Sequence, residues 1–146
     1  MSRRFCGRRF CAVAGSLALL IVASGCGGNV SEASKDGYCA AAKSVIATTG
    51  QDNSESATAE QSITDLVTAI QSAADVAPSE IESEAATVAA GAKSIQAVWA
   101  ANDYDNDKVG ADPAYAEATQ NEEYKAAHPS VDEYNATECG LTTAWP

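Results

Sequence analysis

The feature that most constrains this chain is its shortage of large apolar side chains. From Cys26 to Pro146, the segment argued below to be the mature protein, there are two Leu, five Ile, eight Val and no Phe. Together these are roughly 12% of the segment, a level that with high net charge signals disorder unless placement rescues a fold. Alanine is abundant instead, with 27 copies in the same segment. Alanine is the strongest helix former and, being small, lets helix axes approach closely. The only well-formed domain open to such a composition is helical and thin-cored.

Placement supports that reading. The spacing predicts a helix from Asp36 to Thr48, with Tyr38, Ala42, Val45 and Ile46 on one face and Cys39 at its edge. Polar residues Thr48 to Ser54 form a loop. A second helix, about Ala57–Val76, places Ile63, Leu66, Val67, Ile70, Ala74 and Ala77 on one stripe before Pro78-Ser79 breaks it. The third begins near Ser79, where Glu80, Glu82 and Glu84 crowd its positive N-terminus as a solvated turn. Its Ile81, Ala85, Val88, Ala92, Ile95 and Trp99 form a heptad seam. Gly91 inside it would weaken an exposed helix by about 1 kcal/mol relative to Ala, so it marks a close helix–helix approach. Tyr115 to Tyr124 suggests one or two short turns. After His128-Pro129 a last helix runs Val131–Cys139, with Gly140 at C′ and Leu141 packing back. No window alternates as a strand would. The expected fold is all-α, a small Ala-rich antiparallel bundle of about four helices. Its close packing leaves no room for a large pre-formed ligand cavity.

The first 25 residues read as an export signal. Arg3, Arg4, Arg8 and Arg9, all the arginines of the chain, hold Met1–Phe10 on the cytoplasmic side. The apolar run Cys11–Ala23 is too short for a permanent span, which needs about 20 residues. Val22-Ala23-Ser24-Gly25-Cys26 resembles the lipobox of bacterial prolipoproteins, where the cysteine receives a diacylglyceryl group and becomes the N-terminus. Ala23 stands where that motif most often has Leu. Multiple acyl chains give stable anchoring where one is marginal. Residues 26–35 then form a Gly/Ser-rich tether, and 36–146 the folded domain. The expected location is the outer face of the cytoplasmic membrane, reached by either the general or the twin-arginine export route.

Cysteine arithmetic follows from that reading. Cys6 and Cys11 leave with the signal and Cys26 carries lipid, so Cys39 and Cys139 remain in an oxidising compartment and pair. A zinc site needs three or four Cys/His ligands and a redox pair usually C-x-x-C. The mature segment offers one His and no such motif.

Charge excludes further classes. Five lysines stand against twenty carboxylates after Cys26, a formal charge of −15. Such a surface repels nucleic acid and anionic headgroups. Without arginine, bidentate phosphate or carboxylate recognition is closed as well. Asp103, Asp105 and Asp107 alternate as calcium ligands do, but an EF-hand loop also needs Gly at its sixth position and Glu at its twelfth. Those positions hold Lys108 and Ala114, so the three aspartates are weak metal candidates and read first as a solvated loop. His128 beside Pro129, with Ser130 and Glu133, suggests a helix cap rather than a general base. No nucleophile motif and no phosphate loop is present, so neither enzyme activity nor a cofactor is expected. Tyr104, Tyr115, Tyr124 and Tyr134 with Trp99 form one aromatic-rich region, a recognition groove or the seal of a bundle end. Trp145 beside Pro146 is expected to be loose.

Tyr38-Cys39 opening the first helix, Ala77-Pro78-Ser79-Glu80-Ile81 between the middle helices, Tyr104-Asp105 after Trp99, and Tyr134 before Cys139-Gly140-Leu141 resemble a loose group of small actinobacterial lipoproteins. The resemblance spans roughly Asp36 to Leu141 and implies an exported helical domain with one disulfide; it implies no activity. The expectation for function is a membrane-anchored, non-enzymatic binding or scaffolding module of the envelope, with a protein or glycan partner. A cation- or small-ligand-binding lipoprotein using residues 103–107 is the alternative.

Overall fold

A computed structural model describes residues 33–49, 56–142 and 145. The expected signal segment, Cys26 and most of the tether lie outside them. All regular structure among the described residues is helical, and the elements are α1 (Lys35–Thr48), α2 (Ser56–Ala74), α3 (Glu82–Ala101), α4 (Asn106–Ala111), α5 (Pro113–Thr119) and α6 (Glu122–Glu138). Four long helices form the bundle, and the two short ones bridge α3 to α6.

Pairwise contacts show that each long helix runs antiparallel to its neighbours. Ser34, at the start of α1, donates its N–H to the Val76 carbonyl just past the end of α2 (3.2 Å). Gln96, late in α3, reaches Thr64, early in α2 (3.4 Å). Tyr124, early in α6, packs on Gly91 of α3. Lys35 and Glu138 pair at 2.7 Å where the start of α1 meets the end of α6. At that same corner the Cys39–Cys139 disulfide closes the ring, with Cα atoms 5.2 Å apart across 100 residues of sequence. An even number of antiparallel helices brings the first N-terminus to the last C-terminus, which is the geometry a bridge requires.

Eight of the eighteen buried hydrophobic residues in the described region are alanines, among them Ala42, Ala59, Ala85 and Ala89. Larger side chains are placed sparingly between them: Tyr38, Val45, Val88 and Val131 are fully buried. Gly140 terminates α6 with φ +66°, and Leu141 folds back to donate its N–H to the Asn135 carbonyl (2.9 Å).

Several boundaries differ from the sequence expectation. Ser34 and Lys35, assigned to the tether, belong to α1: Ser34 is its N-cap, accepting from the Gly37 N–H at 3.2 Å. The last helix does not begin after Pro129. It begins at Glu122, capped by Asn121, whose side chain accepts from the Tyr124 N–H (3.0 Å), with Glu122 and Glu123 in its first turn. Proline inside a helix costs about 3 kcal/mol through a lost hydrogen bond and a clash with the preceding turn. Here Pro129 faces solvent, while Ala127, Val131 and Asn135 on the opposite stripe are buried, and that burial carries the helix through. Ser130 and Glu133 are therefore mid-helix and cap nothing.

Trp145 is not loose. It is 4% exposed, stacks on Tyr38 with centroids 6.3 Å apart, and donates its backbone N–H to Asp132 Oδ1 (3.0 Å). Tyr134 meets the other side of Tyr38 edge-on at 5.5 Å. This aromatic cluster sits at the disulfide end and supplies bulk that the alanine core lacks. It also holds unpartnered polar atoms: the Tyr38 hydroxyl, both amide atoms of Asn135, and Trp145 Nε1 are buried without a hydrogen bond. Burial pushes the Tyr38 phenol well above its ordinary range.

Candidate functional site

The aspartates of residues 103–107 serve local structure. Asp103 and Tyr104 adopt left-handed backbone (φ 55° and 56°), which reverses the chain sharply after α3. Asp105 is the N-cap of α4, its Oδ1 accepting from the N–H groups of Asp107 (3.0 Å) and Lys108 (3.1 Å). Asp103 pairs with Lys108 Nζ at 3.0 Å. Asp112 caps α5 through the Ala114 N–H (2.9 Å) and accepts from Asn102 Nδ2 (2.8 Å); these bonds, the Asn102 one first, hold its carboxyl below the ordinary range. Among the described residues no three His, Cys, Asp or Glu side chains converge to hold a metal ion. Asp105 and Asp112 bond to their own turns, because short acidic side chains cap nearby N–H groups more readily than they reach a common point.

His128 lies in the middle of α6, not at a cap. Its ring packs edge-on against Tyr124 at 4.5 Å, and its buried Nε2 has no partner. Burial lowers its pKa, with Asp132 opposing the shift. No nucleophile is arranged on it among the described contacts.

The aromatic residues expected as one region divide. Tyr134 joins Tyr38 and Trp145 at the disulfide end. Trp99, Tyr115 and Tyr124 line a cleft toward the other end. The floor of this cleft comes from the α2 stripe Ile63, Val67 and Ile70, with Ala92 of α3, all buried. Its walls are Leu66 on one side and Ile95, Gln96 and Trp99 of α3 on the other, all half-buried. Tyr115 and Thr119 of α5 and Tyr124 of α6 complete the lining. The volume is about 370 Å³, within the range of small-ligand sites.

The sequence expectation stands against a large enclosed cavity but keeps a shallow groove around Trp99 and the tyrosines as one reading; the structure has an open cleft lined by Trp99, Tyr115 and Tyr124. The four bundle helices do pack closely, as their alanines require. The cleft forms where α5 and the start of α6 meet the α2–α3 seam; the short turns expected at Tyr115–Tyr124 overlap α5, whereas the start of α6 at Glu122 differs from the expectation. Gly91 is the point of close approach, though a ring rather than a helix backbone meets it. A Cβ there would overlap the Tyr124 ring, whose Cγ would lie 2.8 Å away and two other ring atoms nearer. Glycine at 91 thus lets the Tyr124 ring lie flat on α3. Gln96 and Thr119 carried no sequence signal. The alternation Asn121-Glu122-Glu123, an N-cap followed by an acidic first turn, would have located the start of α6 and with it Tyr124.

Among the described residues, no carboxylate, lysine, histidine or cysteine lines the cleft. The Thr119 hydroxyl donates to the Tyr115 carbonyl (2.9 Å) and the Gln96 amide N–H to the Thr64 hydroxyl (3.4 Å). Burial, with a contribution from Tyr115, raises the Tyr124 phenol, which stays neutral and adds no charge. Among the described residues no helix is long and apolar enough to cross a membrane. No protein-family model, curated protein or solved structure matches this chain.

Proposed function

We propose that this protein is a non-enzymatic binding module of the cell envelope, held at the outer face of the cytoplasmic membrane by lipid on Cys26. The observation that carries the binding role is the cleft between α2, α3, α5 and α6. Of the seven Leu and Ile residues after Cys26, four (Ile63, Leu66, Ile70 and Ile95) line it. A chain so short of large apolar residues would be expected to bury them all in the bundle axis, where each contributes about 1.5–3 kcal/mol. Ile63 and Ile70 are buried in the core as the floor, while Leu66 and Ile95 stay half-buried in the walls beside Trp99, which fits a surface kept for a partner. A lining without carboxylate, lysine, histidine or cysteine among the described residues fits binding without chemistry. The lipid anchor rests on the Val22–Cys26 motif and the apolar run before it.

Two measurements test this reading. Mass spectrometry of the protein purified from its own membranes should find acylated Cys26 as the first residue; an intact Met1 terminus overturns the anchor. Native mass spectrometry of the same material should show a non-covalent adduct that is lost in Ile95→Glu. An adduct of unchanged abundance in that variant, with its fold intact by circular dichroism, moves the binding site elsewhere.

A further inference from the structure

At the disulfide corner, at the opposite end of the bundle from the cleft, α1 and α6 frame a second site. We infer that it takes an aromatic residue of a partner's extended peptide segment, and that the protein's own Trp145 occupies it when no partner is bound. Three observations support this. The first is a concentration of unpaired polar atoms. Of the five buried side-chain polar atoms without a hydrogen bond among the described residues, four belong to Tyr38, Asn135 and Trp145. These residues are 0%, 1% and 4% exposed. Buried polar groups in folded proteins are almost always paired, so four in one corner mark an incomplete fit. Burial and then Tyr134 push the Tyr38 phenol up while the Asn135 amide opposes them, which places the amide beside the hydroxyl although no hydrogen bond joins them.

The second is the chemistry of the mismatch. An indole offers one N–H donor and no acceptor, whereas an Asn amide seeks acceptors for two N–H bonds and a donor for its carbonyl. Trp145 therefore matches the corner by shape and by stacking on the Tyr38 ring, 6.3 Å away at 28°, and not by hydrogen bonding. A peptide group carries one carbonyl acceptor and one N–H donor, the complement of the Asn135 side chain as a two-bond pair. The third is that the site already grips a peptide. Asp132, one turn before Asn135 on α6, accepts the Trp145 backbone N–H at 3.0 Å, so main chain and ring are held at separate points. Those points survive the loss of Trp145, because the Cys39–Cys139 bond ties the turn of α1 that bears Tyr38 to the end of α6. A partner segment that stacks its ring on Tyr38 and turns one peptide group onto Asn135 satisfies atoms that Trp145 leaves unpaired, and so competes for the site.

NMR of the isotope-labelled protein tests the exchange, with N-acetyltryptophanamide as the peptide probe and skatole as the same ring without a peptide group. In Trp145→Ala the peptide probe should bind about tenfold more tightly than skatole, shifting the Asn135 side-chain amide and the Tyr38 ring signals. Asn135→Ala in the same background should erase that difference and leave ring binding. Wild type should need about tenfold more probe than Trp145→Ala, because its own ring competes intramolecularly. As the probe binds wild type, the Trp145 indole N–H resonance should move to the position of a solvent-exposed indole. Circular dichroism checks the fold of each variant, and the wild-type titration requires no substitution.

Equal affinity for the two probes in Trp145→Ala would overturn the peptide assignment and reduce the site to the space a ring leaves behind. No binding of either probe by folded Trp145→Ala would overturn the site itself. A Trp145 resonance that stays fixed throughout the wild-type titration would make the ring a permanent part of the core. A long-lived water in Overhauser contact with the Asn135 amide of wild type would assign the unpaired atoms to solvent and remove the ground for a peptide partner. Ile95→Glu, at the cleft, should leave every titration unchanged; loss of binding there would place the probe in the cleft and overturn the assignment to this corner.

Discussion

Replacing Cys39 and Cys139 by serine removes the one covalent link between the ends of the bundle. The bridge spans 100 residues of sequence, and a loop of that size in the chain-entropy description stabilises the folded state by about 4.7 kcal/mol at room temperature. Little else joins this corner strongly. The Lys35–Glu138 pair is solvent-exposed and screened, and the remaining ties are Trp145 on Tyr38 and the Leu141 N–H on Asn135. For a domain of this size each kcal/mol moves the melting temperature by about 4 °C, so the double variant should melt about 15–20 °C lower. The loss should grow at low salt, because a reduced chain of formal charge −15 expands further when its carboxylates repel over a longer range. Thermal unfolding followed by circular dichroism at low and physiological salt measures both effects, with thiol titration under denaturing, non-reducing conditions as the control. Two free thiols in the exported protein would refute the pairing. An unchanged melting temperature in the double variant would refute the argument that the alanine-packed core depends on it.

Three further predictions concern single positions. Gly91→Ala gains about 1 kcal/mol of helix propensity but forces the Tyr124 ring off α3, so a net loss of about 1–2 kcal/mol is expected in denaturant unfolding; a gain would show that the ring moves freely. Asn135→Ala removes two buried amide atoms that lack a hydrogen bond and leaves only a small cavity, so it should cost no more than about 1 kcal/mol in denaturant unfolding; a much larger loss would reveal a partner for the amide. For His128, burial holds the folded pKa below the unfolded value of about 6.5, so the unfolded chain takes up its proton first as pH falls. Its contribution is nil well above that value, and stability is lost as pH drops through it toward the folded pKa. Wild type should therefore lose more stability than His128→Gln between pH 7 and 5, and parallel profiles for the two would count against a buried neutral ring.

Local features of the sequence determined most of the scaffold. Apolar spacing in Asp36–Thr48 and in the Ile63–Ile70 stripe marks α1 and α2, because a helix must bury one face and 3.6-residue periodicity is how a chain records that. The Cys39–Cys139 pairing follows from subtraction once export is granted, and Gly140 from the left-handed turn that only glycine adopts without strain. The start of α6 was misplaced because Pro129 is a strong local signal, overridden by burial of Ala127 and Val131 on α3 that no local window contains. Trp145 was misjudged for the same reason: its neighbour in space, Tyr38, lies more than a hundred residues away in sequence.

The cleft belongs wholly to tertiary structure. Ile63, Leu66, Ile70 and Ile95 are indistinguishable in sequence from residues of a closed core, since periodicity states which face is apolar and not what covers it. That is decided by where α5 comes to rest, which depends on the reversal at Asp103–Tyr104, on Asn102 holding Asp112, and on Gly91 admitting the Tyr124 ring. Helical periodicity is written within one element; an opening between elements is set by contacts among side chains distant in the chain.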